Sequence, residues 1–145
     1  MSEVRQPVLP APEPVINPDT AEFWKATAEG KLLATRCGDC DAVIWYPRPK
    51  CPFCHSTNTG WEQLSGRGVV YSYSIVRRAA GEWKGHTPYV VAYVELAEGP
   101  RVMTNVVDCD VEQVGIGDAV EVVFEDTGSG AAVPRFRPVR EGASA

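Results

Sequence analysis

Cys37-Gly38-Asp39-Cys40, ten intervening residues, then Cys51-Pro52-Phe53-Cys54: this stretch decides how the chain folds. Each C-x-x-C turn brings two sulfurs to one side, and the intervening hairpin returns the second turn against the first, so that four thiolates surround one ion. A module of this size cannot bury enough apolar surface to fold alone. Structural zinc in such modules contributes on the order of 10–16 kcal/mol of apparent binding energy, which can make up the deficit. With four protein ligands the ion has no open position, so the site is predicted to be structural and hydrolytic zinc chemistry is disfavoured. Zinc is the expected occupant, and iron suits the same cage. A thioredoxin-like redox pair would need one C-x-x-C at a strand-to-helix junction, whereas two occur here, each in a turn. His55 directly follows Cys54, but the cage is already complete, so it is expected to stand exposed or beside the cage. Cys109 has Asp108 and Asp110 as neighbours, which raise a thiol pKa, so an inert or buried thiol is expected in place of a nucleophile.

The chain around this stretch has 145 residues, room for one ordinary domain or two small ones sharing a core. With 44% hydrophobic and 23% charged residues it has the profile of a folded protein. The net charge of −5 has the wrong sign for a generic nucleic-acid binder. No apolar run approaches 18 residues, so no membrane span is predicted. Met1 to Pro14 lacks the basic head and apolar core of a secretory signal, so a reducing cytoplasm is the expected location, where thiols bind metals more readily than they pair.

Working outward, residues 1–18 carry prolines at 7, 10, 12, 14 and 18, which rule out a helix or a central strand. Val4, Val8, Leu9, Val15 and Ile16 lie among them. The segment reads either as a disordered leader or as an extended arm that lays these side chains on a partner. Residues 19–30 read as a short helix, with Asn17 as N-cap, Pro18 at the first position and Gly30 as the stop. Phe23, Trp24, Thr27 and Ala28 fall on one side of it, and a helix this short must pack on something. Residues 31–64 form the metal-binding ribbon, with strand-like runs at 31–36, 43–46 and 61–64. Residues 65–139 read as all-β: an alternating strand from Gly66 to Val76, then Tyr89–Leu96, Arg101–Val107, Ala119–Glu125 and a last strand around Phe136. In Ala119–Glu125, Val120, Val122 and Phe124 are expected inward, with Glu121 and Glu125 outward. Five strands separated by Gly, Pro and Asp predict a small closed barrel. Residues 140–145 read as a flexible tail. The fold class is therefore mainly β: a short N-terminal helix, a zinc ribbon and a five-stranded barrel.

A catalytic constellation is not evident. His55 and His86 are the two histidines, and neither sits in a nucleophile–base pattern. G-x-S-x-G, Walker A and G-x-G-x-x-G are all missing. Gly66-Arg67-Gly68 opens a strand and reads as a turn.

The order of parts resembles the DUF35 family, whose members combine a rubredoxin-like zinc ribbon with an oligonucleotide/oligosaccharide-binding (OB) fold. The resemblance runs from about residue 20 to 138. It rests on Phe23-Trp24, Gly30-Lys31-Leu32, Arg36-Cys37-Gly38-Asp39-Cys40, Pro47-Arg48 and Cys51-Pro52-Phe53-Cys54. It continues in Gly66-Arg67-Gly68-Val69-Val70-Tyr71, Pro88-Tyr89-Val90-Val91-Ala92, Glu95-Leu96, Gly115-Ile116-Gly117 with Val120, and Pro134-Arg135-Phe136-Arg137-Pro138. The resemblance implies an accessory subunit, without catalytic residues of its own. Such a subunit stabilises a thiolase-superfamily partner, either a thiolase or a lipid-transfer-protein-like aldolase that cleaves steroid side-chain CoA thioesters by a retro-aldol step, or it helps hold and pass acyl-CoA. A heterotetramer around a partner dimer is expected. His55 departs from the family pattern, in which a glycine often follows the second C-P-x-C.

Physical reading agrees with an accessory role, because Tyr89–Leu96 is apolar on both faces and a lone barrel buries only one. Coenzyme A carries phosphates, and the loop Arg77–His86 has cations beside an indole. Arg77, Arg78, Trp83 and Lys84 are therefore candidate CoA-binding residues, against the alternative of a solvated or partner-docked hairpin loop. Arg135 and Arg137 read as surface salt-bridge residues. The rival function is single-stranded nucleic-acid binding. Against it, Arg101–Val107 has no aromatic, and Arg101 is the only Lys or Arg between Tyr89 and Val133, facing nine Asp or Glu.

Overall fold

The computed structural model describes residues 2–139; the expected tail at 140–145 lies outside them. Ten elements follow in order: β1 (Val4–Arg5), α1 (Ala21–Ala28), β2 (Leu33–Cys37), β3 (Val43–Ile44), β4 (Thr59–Gln63), β5 (Arg67–Val76), β6 (Tyr89–Leu96), β7 (Arg101–Val106), β8 (Ala119–Asp126) and β9 (Ala132–Pro138).

The ribbon is a three-stranded antiparallel sheet in the order β3-β2-β4, with Thr35 of β2 opposite Ile44 on one side and Trp61 on the other. Beyond it β5 pairs with both β6 and β8, β6 pairs with β7, β7 runs parallel to β9, and β8 pairs with β9. That circuit leaves no open edge among its five strands, and it is the OB topology. One core fills it: Val70, Val90, Val94, Val120, Phe124 and Phe136 are all at most 1% exposed. The same core takes in Leu32, Ala34 and Leu64 from the ribbon and Phe23 from the helix, so ribbon and barrel share their apolar interior.

Helix α1 starts later than the cap signal predicts. Thr20, not Asn17, is its N-cap, because the amide and hydroxyl of Thr20 are drawn back onto Asn17 in a preceding turn. It buries Phe23, Ala26 and Thr27, while Ala28 faces solvent. The Thr27 hydroxyl donates to the Trp24 carbonyl (2.6 Å) and accepts from the Ala132 amide (3.0 Å), tying the helix to the start of β9. Gly30 ends the helix in the left-handed region at φ 76°, with its amide on Thr27 O and that of Lys31 on Ala26 O. A Cβ there would also lie 2.2 Å from the Ser2 carbonyl.

The N-terminal arm lies on the chain's own barrel. Val4 and Arg5 add a short parallel edge strand to β8, opposite Phe124 and Glu125, and Leu9 is buried against Val107 and Val123. This placement overturns two strand-pattern expectations. Glu125, expected outward, is fully buried, and Arg135, expected at the surface, is 2% exposed. The two form an ion pair. The Arg135 guanidinium also donates to the carbonyls of Leu9 (3.1 Å) and Pro10 (2.6 Å), and Glu125 accepts from Arg5 (3.1 Å) and the Val8 amide (3.2 Å). The pair is closed under the arm, where a lone charge would be costly. Arg137 does form surface ion pairs, with Glu3 and Glu121.

Candidate metal centre and flanking surfaces

The two C-x-x-C turns are built alike. In the first, Asp41 N donates to Cys37 O (3.0 Å) and Cys37 N to Ala42 O (2.9 Å); in the second, His55 N donates to Cys51 O (2.9 Å) and Cys51 N to Ser56 O (2.9 Å). The residue after each second cysteine is left-handed, Asp41 at φ 64° and His55 at φ 66°. That explains why glycine suits the position His55 occupies. Gly38 lets the turns approach, for a Cβ there would sit 2.6 Å from the Asn58 amide nitrogen. The Asp39 carboxylate then bridges them, accepting from the Ser56 hydroxyl and the Asn58 side-chain amide. Those donors, Ser56 foremost, hold its carboxyl below the usual value.

The result brings the Sγ atoms of Cys37, Cys40, Cys51 and Cys54 within 4.8 Å of one another. Cys37 and Cys54 are 3.5 Å apart and Cys40 and Cys51 3.6 Å, too long for a disulfide. A tetrahedral ion with bonds of about 2.3 Å would separate its sulfurs by about 3.8 Å, so the cage fits zinc. The Cys40 and Asp39 amides pull the Cys37 thiol down to about 7. The Ser56 amide pulls on Cys54 too, but the other cysteines and burial outweigh it and push this thiol up to about 12. Four sulfurs this close cannot all ionise unaided, and a divalent cation supplies the missing charge. Cys37 and Cys51 are buried while Cys40 and Cys54 face outward. His55 is exposed. Cys109 is half-buried, and burial, then Asp108, Asp110 and Asp118, raise its thiol pKa.

The four candidate residues of the cationic loop fall into three settings. The loop forms a 3-10 turn over Gly81–His86. Arg77 pairs with Glu112 (2.7 Å). Trp83 packs on Tyr89, ring centres 4.9 Å apart, with the Arg135 guanidinium 5.8 Å from its ring centre. Arg78 and Lys84 are exposed.

Two surfaces carry no signal that alternation alone could orient. On the outside of the barrel, Tyr93 of β6 lies opposite Met103 of β7, the two being 46% and 68% exposed, and Tyr71 carries the Arg101 guanidinium 3.9 Å from its ring centre. Beside this outer face, Phe23, Trp24, Trp45 and Tyr46 stack edge to face and line a cleft of about 280 Å³ reaching Met103. Past Met103 and Pro134 it continues into a second hollow of about 290 Å³ bounded by Trp83 and Tyr89. Among the described residues no helix is long and apolar enough to cross a membrane.

Comparison with known proteins agrees with this architecture. Residues 24–60 match the family model described as "ChsH2, rubredoxin-like zinc ribbon domain", and residues 61–125 match "ChsH2, C-terminal OB-fold domain". A DUF35 domain-containing scaffold protein of Methanothermobacter thermautotrophicus is 39% identical over 108 residues, 73% of this chain and 81% of the relative. The benzoylsuccinyl-CoA thiolase subunit BbsA of Geobacter metallireducens is 34% identical over 125 residues, 84% of this chain and 83% of that one. Among solved structures, a chain of the Ltp2-ChsH2(DUF35) aldolase superposes with a TM-score of 0.78 at 34% identity, covering 87% of this chain and 98% of that chain.

Proposed function

Since the chain belongs to the DUF35 family of ChsH2-type zinc-ribbon and OB-fold proteins, we propose that it is a non-catalytic accessory subunit of a thiolase-superfamily enzyme. The partner is a thiolase or a lipid-transfer-protein-like aldolase, stabilised by this chain in a heterotetramer around a partner dimer. The likeness to the BbsA thiolase subunit and to a chain of the Ltp2-ChsH2(DUF35) aldolase supports the choice of partner.

The observation that carries this reading is the exposed outer face of β6 and β7 at Tyr93 and Met103. Tyrosine and methionine are enriched where proteins meet, and here Tyr93 and Met103 lie side by side at 46% and 68% exposure. The closed thiolate cage has no position for a substrate, so this chain contributes shape and contact while the partner contributes reacting groups. Holding an acyl-CoA for that partner is part of the same proposal.

Co-expression with a tagged thiolase-like or aldolase subunit tests it. The expected result is stoichiometric co-purification, CoA-thioester turnover by the pair, and none by this chain alone. Tyr93→Asp with Met103→Asp should abolish the pairing while leaving the zinc content unchanged. Turnover by the isolated chain, or failure to pair with every thiolase-like candidate, would sink the proposal.

A further inference from the structure

Beside the metal site, Arg48, Lys50, Pro52 and His55 surround a notch of about 330 Å³ that reaches Cys51. Its two permanent cations stand on a stiff backbone. Pro47, Pro49 and Pro52 fix φ at three nearby positions. The Thr35 hydroxyl donates to Arg48 O (3.2 Å) and accepts from Arg48 N (3.4 Å), and the Thr59 hydroxyl donates to Pro49 O (2.8 Å). The loop is thus pinned from β2 and from β4.

No carboxylate of the described residues pairs with either cation. The ribbon's acids are engaged elsewhere, Asp39 by Ser56 and Asn58, and Asp41 and Glu62 by Arg36. The nearest sulfur does not serve them, for Cys51 Sγ is buried, accepts the Phe53 amide and faces Cys40. Arg48 and Lys50 are exposed like charges on one pinned loop with no carboxylate competing for them, a setting that an anion from outside can use.

Across Arg48 lies a second hollow of about 220 Å³, lined by Asp19, Thr35, Thr59 and Trp61. Trp61 is 39% exposed and offers a ring for a flat base. Asp19 would repel a phosphate there but can accept from a ribose hydroxyl or a base amine. A ligand spanning both hollows therefore has its phosphate end toward Lys50 and its aromatic end toward Trp61.

We propose that this pair of hollows binds a nucleotide phosphate ester, with Arg48 and Lys50 holding the phosphate and Trp61 the base. The source is the 3′-phosphorylated ADP end of an acyl-CoA, a choice that rests on the accessory-subunit reading above. Two cations suit one or two phosphate groups and fall well short of the roughly six to ten phosphate contacts of a nucleic-acid track.

The test uses the intact zinc-loaded chain without any partner, titrated calorimetrically with adenosine 3′,5′-bisphosphate, CoA, inorganic phosphate and a single-stranded oligonucleotide. Saturable binding of the bisphosphate and of CoA is expected, with inorganic phosphate weaker because it cannot use Trp61. Arg48→Ala with Lys50→Ala should weaken both nucleotides by about tenfold or more at unchanged zinc content. Trp61→Leu should weaken the nucleotides and leave inorganic phosphate unaffected. Absence of saturable binding overturns the site, as does binding that survives the Arg48/Lys50 change or is lost instead in Arg78→Ala with Lys84→Ala. Tighter binding of the oligonucleotide overturns the ligand class, and bisphosphate binding without CoA binding overturns the CoA source. Because no partner is present, failure here leaves subunit pairing untouched, and failure of pairing leaves these titrations unchanged.

Discussion

The ribbon, wholly antiparallel, and the barrel, closed by one parallel pairing, are both small β structures, yet they are held together by different forces. The barrel closes five strands around a continuous apolar interior and leaves no edge open within that circuit. The ribbon's separate interior is Cys37, Ile44 and Cys51, and two of those three are metal ligands. Hydrophobic burial suffices for the first; the second needs a bound ion in place of a core. Where they meet, Phe23, Leu32, Ala34 and Leu64 extend the barrel's interior to the base of the ribbon. The metal end can therefore loosen while the base stays packed.

The largest effect tests the ribbon. Cys51→Ser should remove the ion and, with it, on the order of 10 kcal/mol of local folding energy, read as loss of zinc by native mass spectrometry and rapid proteolysis between β2 and β4. The barrel should resist the same protease. Acid should act in the same direction, because each ligand sulfur must lose its proton to bind, so zinc release should grow as the pH falls.

The next effect tests the barrel through its buried ion pair, Glu125 with Arg135. Glu125→Ala leaves Arg135 buried without its partner and should cost about 3–5 kcal/mol in urea unfolding. Replacing both, Glu125→Leu with Arg135→Met, should cost much less, because no lone charge remains. Deleting residues 2–10 should mimic part of the single change, since the arm carbonyls of Leu9 and Pro10 accept from Arg135.

The sequence told most where chemistry is local. Cysteine spacing specified the cage, Gly30 marked the helix end, and the order of strands and turns described a closed barrel. It told least where a distant segment changes an environment. In β8, Val122, Val123, Phe124 and Glu125 are all buried, because the core covers one face and the arm the other. A period of two cannot register that second cover, and so Glu125 read as an outward residue. Arg135 was misplaced for the same reason. Trp83 stood out as an indole among cations, but nothing in its own segment told of Tyr89 and Arg135 as its neighbours. The unpaired state of Arg48 and Lys50 depends on where Asp39, Asp41 and Glu62 go, and no spacing rule reports that.

Smaller changes separate the two regions further. His55→Gly relieves a left-handed residue in the second knuckle and should stabilise the zinc-loaded ribbon by about 1 kcal/mol, seen as slower zinc transfer to a chelator, with barrel unfolding unchanged. The smallest expected effect is at Cys109, whose raised pKa keeps it a neutral thiol. Its alkylation should be slower than that of a free cysteine at pH 7 and should accelerate with rising pH.

Hydrogen exchange followed residue by residue, before and after zinc is stripped by a chelator, bears on the division of forces between ribbon and barrel. With the ion gone, amides of β2, β3 and β4 near the cage should exchange freely, while those of β6, β7 and β8 keep their protection. Undiminished protection around Cys37 and Cys51 in metal-free protein would mean that the thiolate cage does not hold the ribbon together.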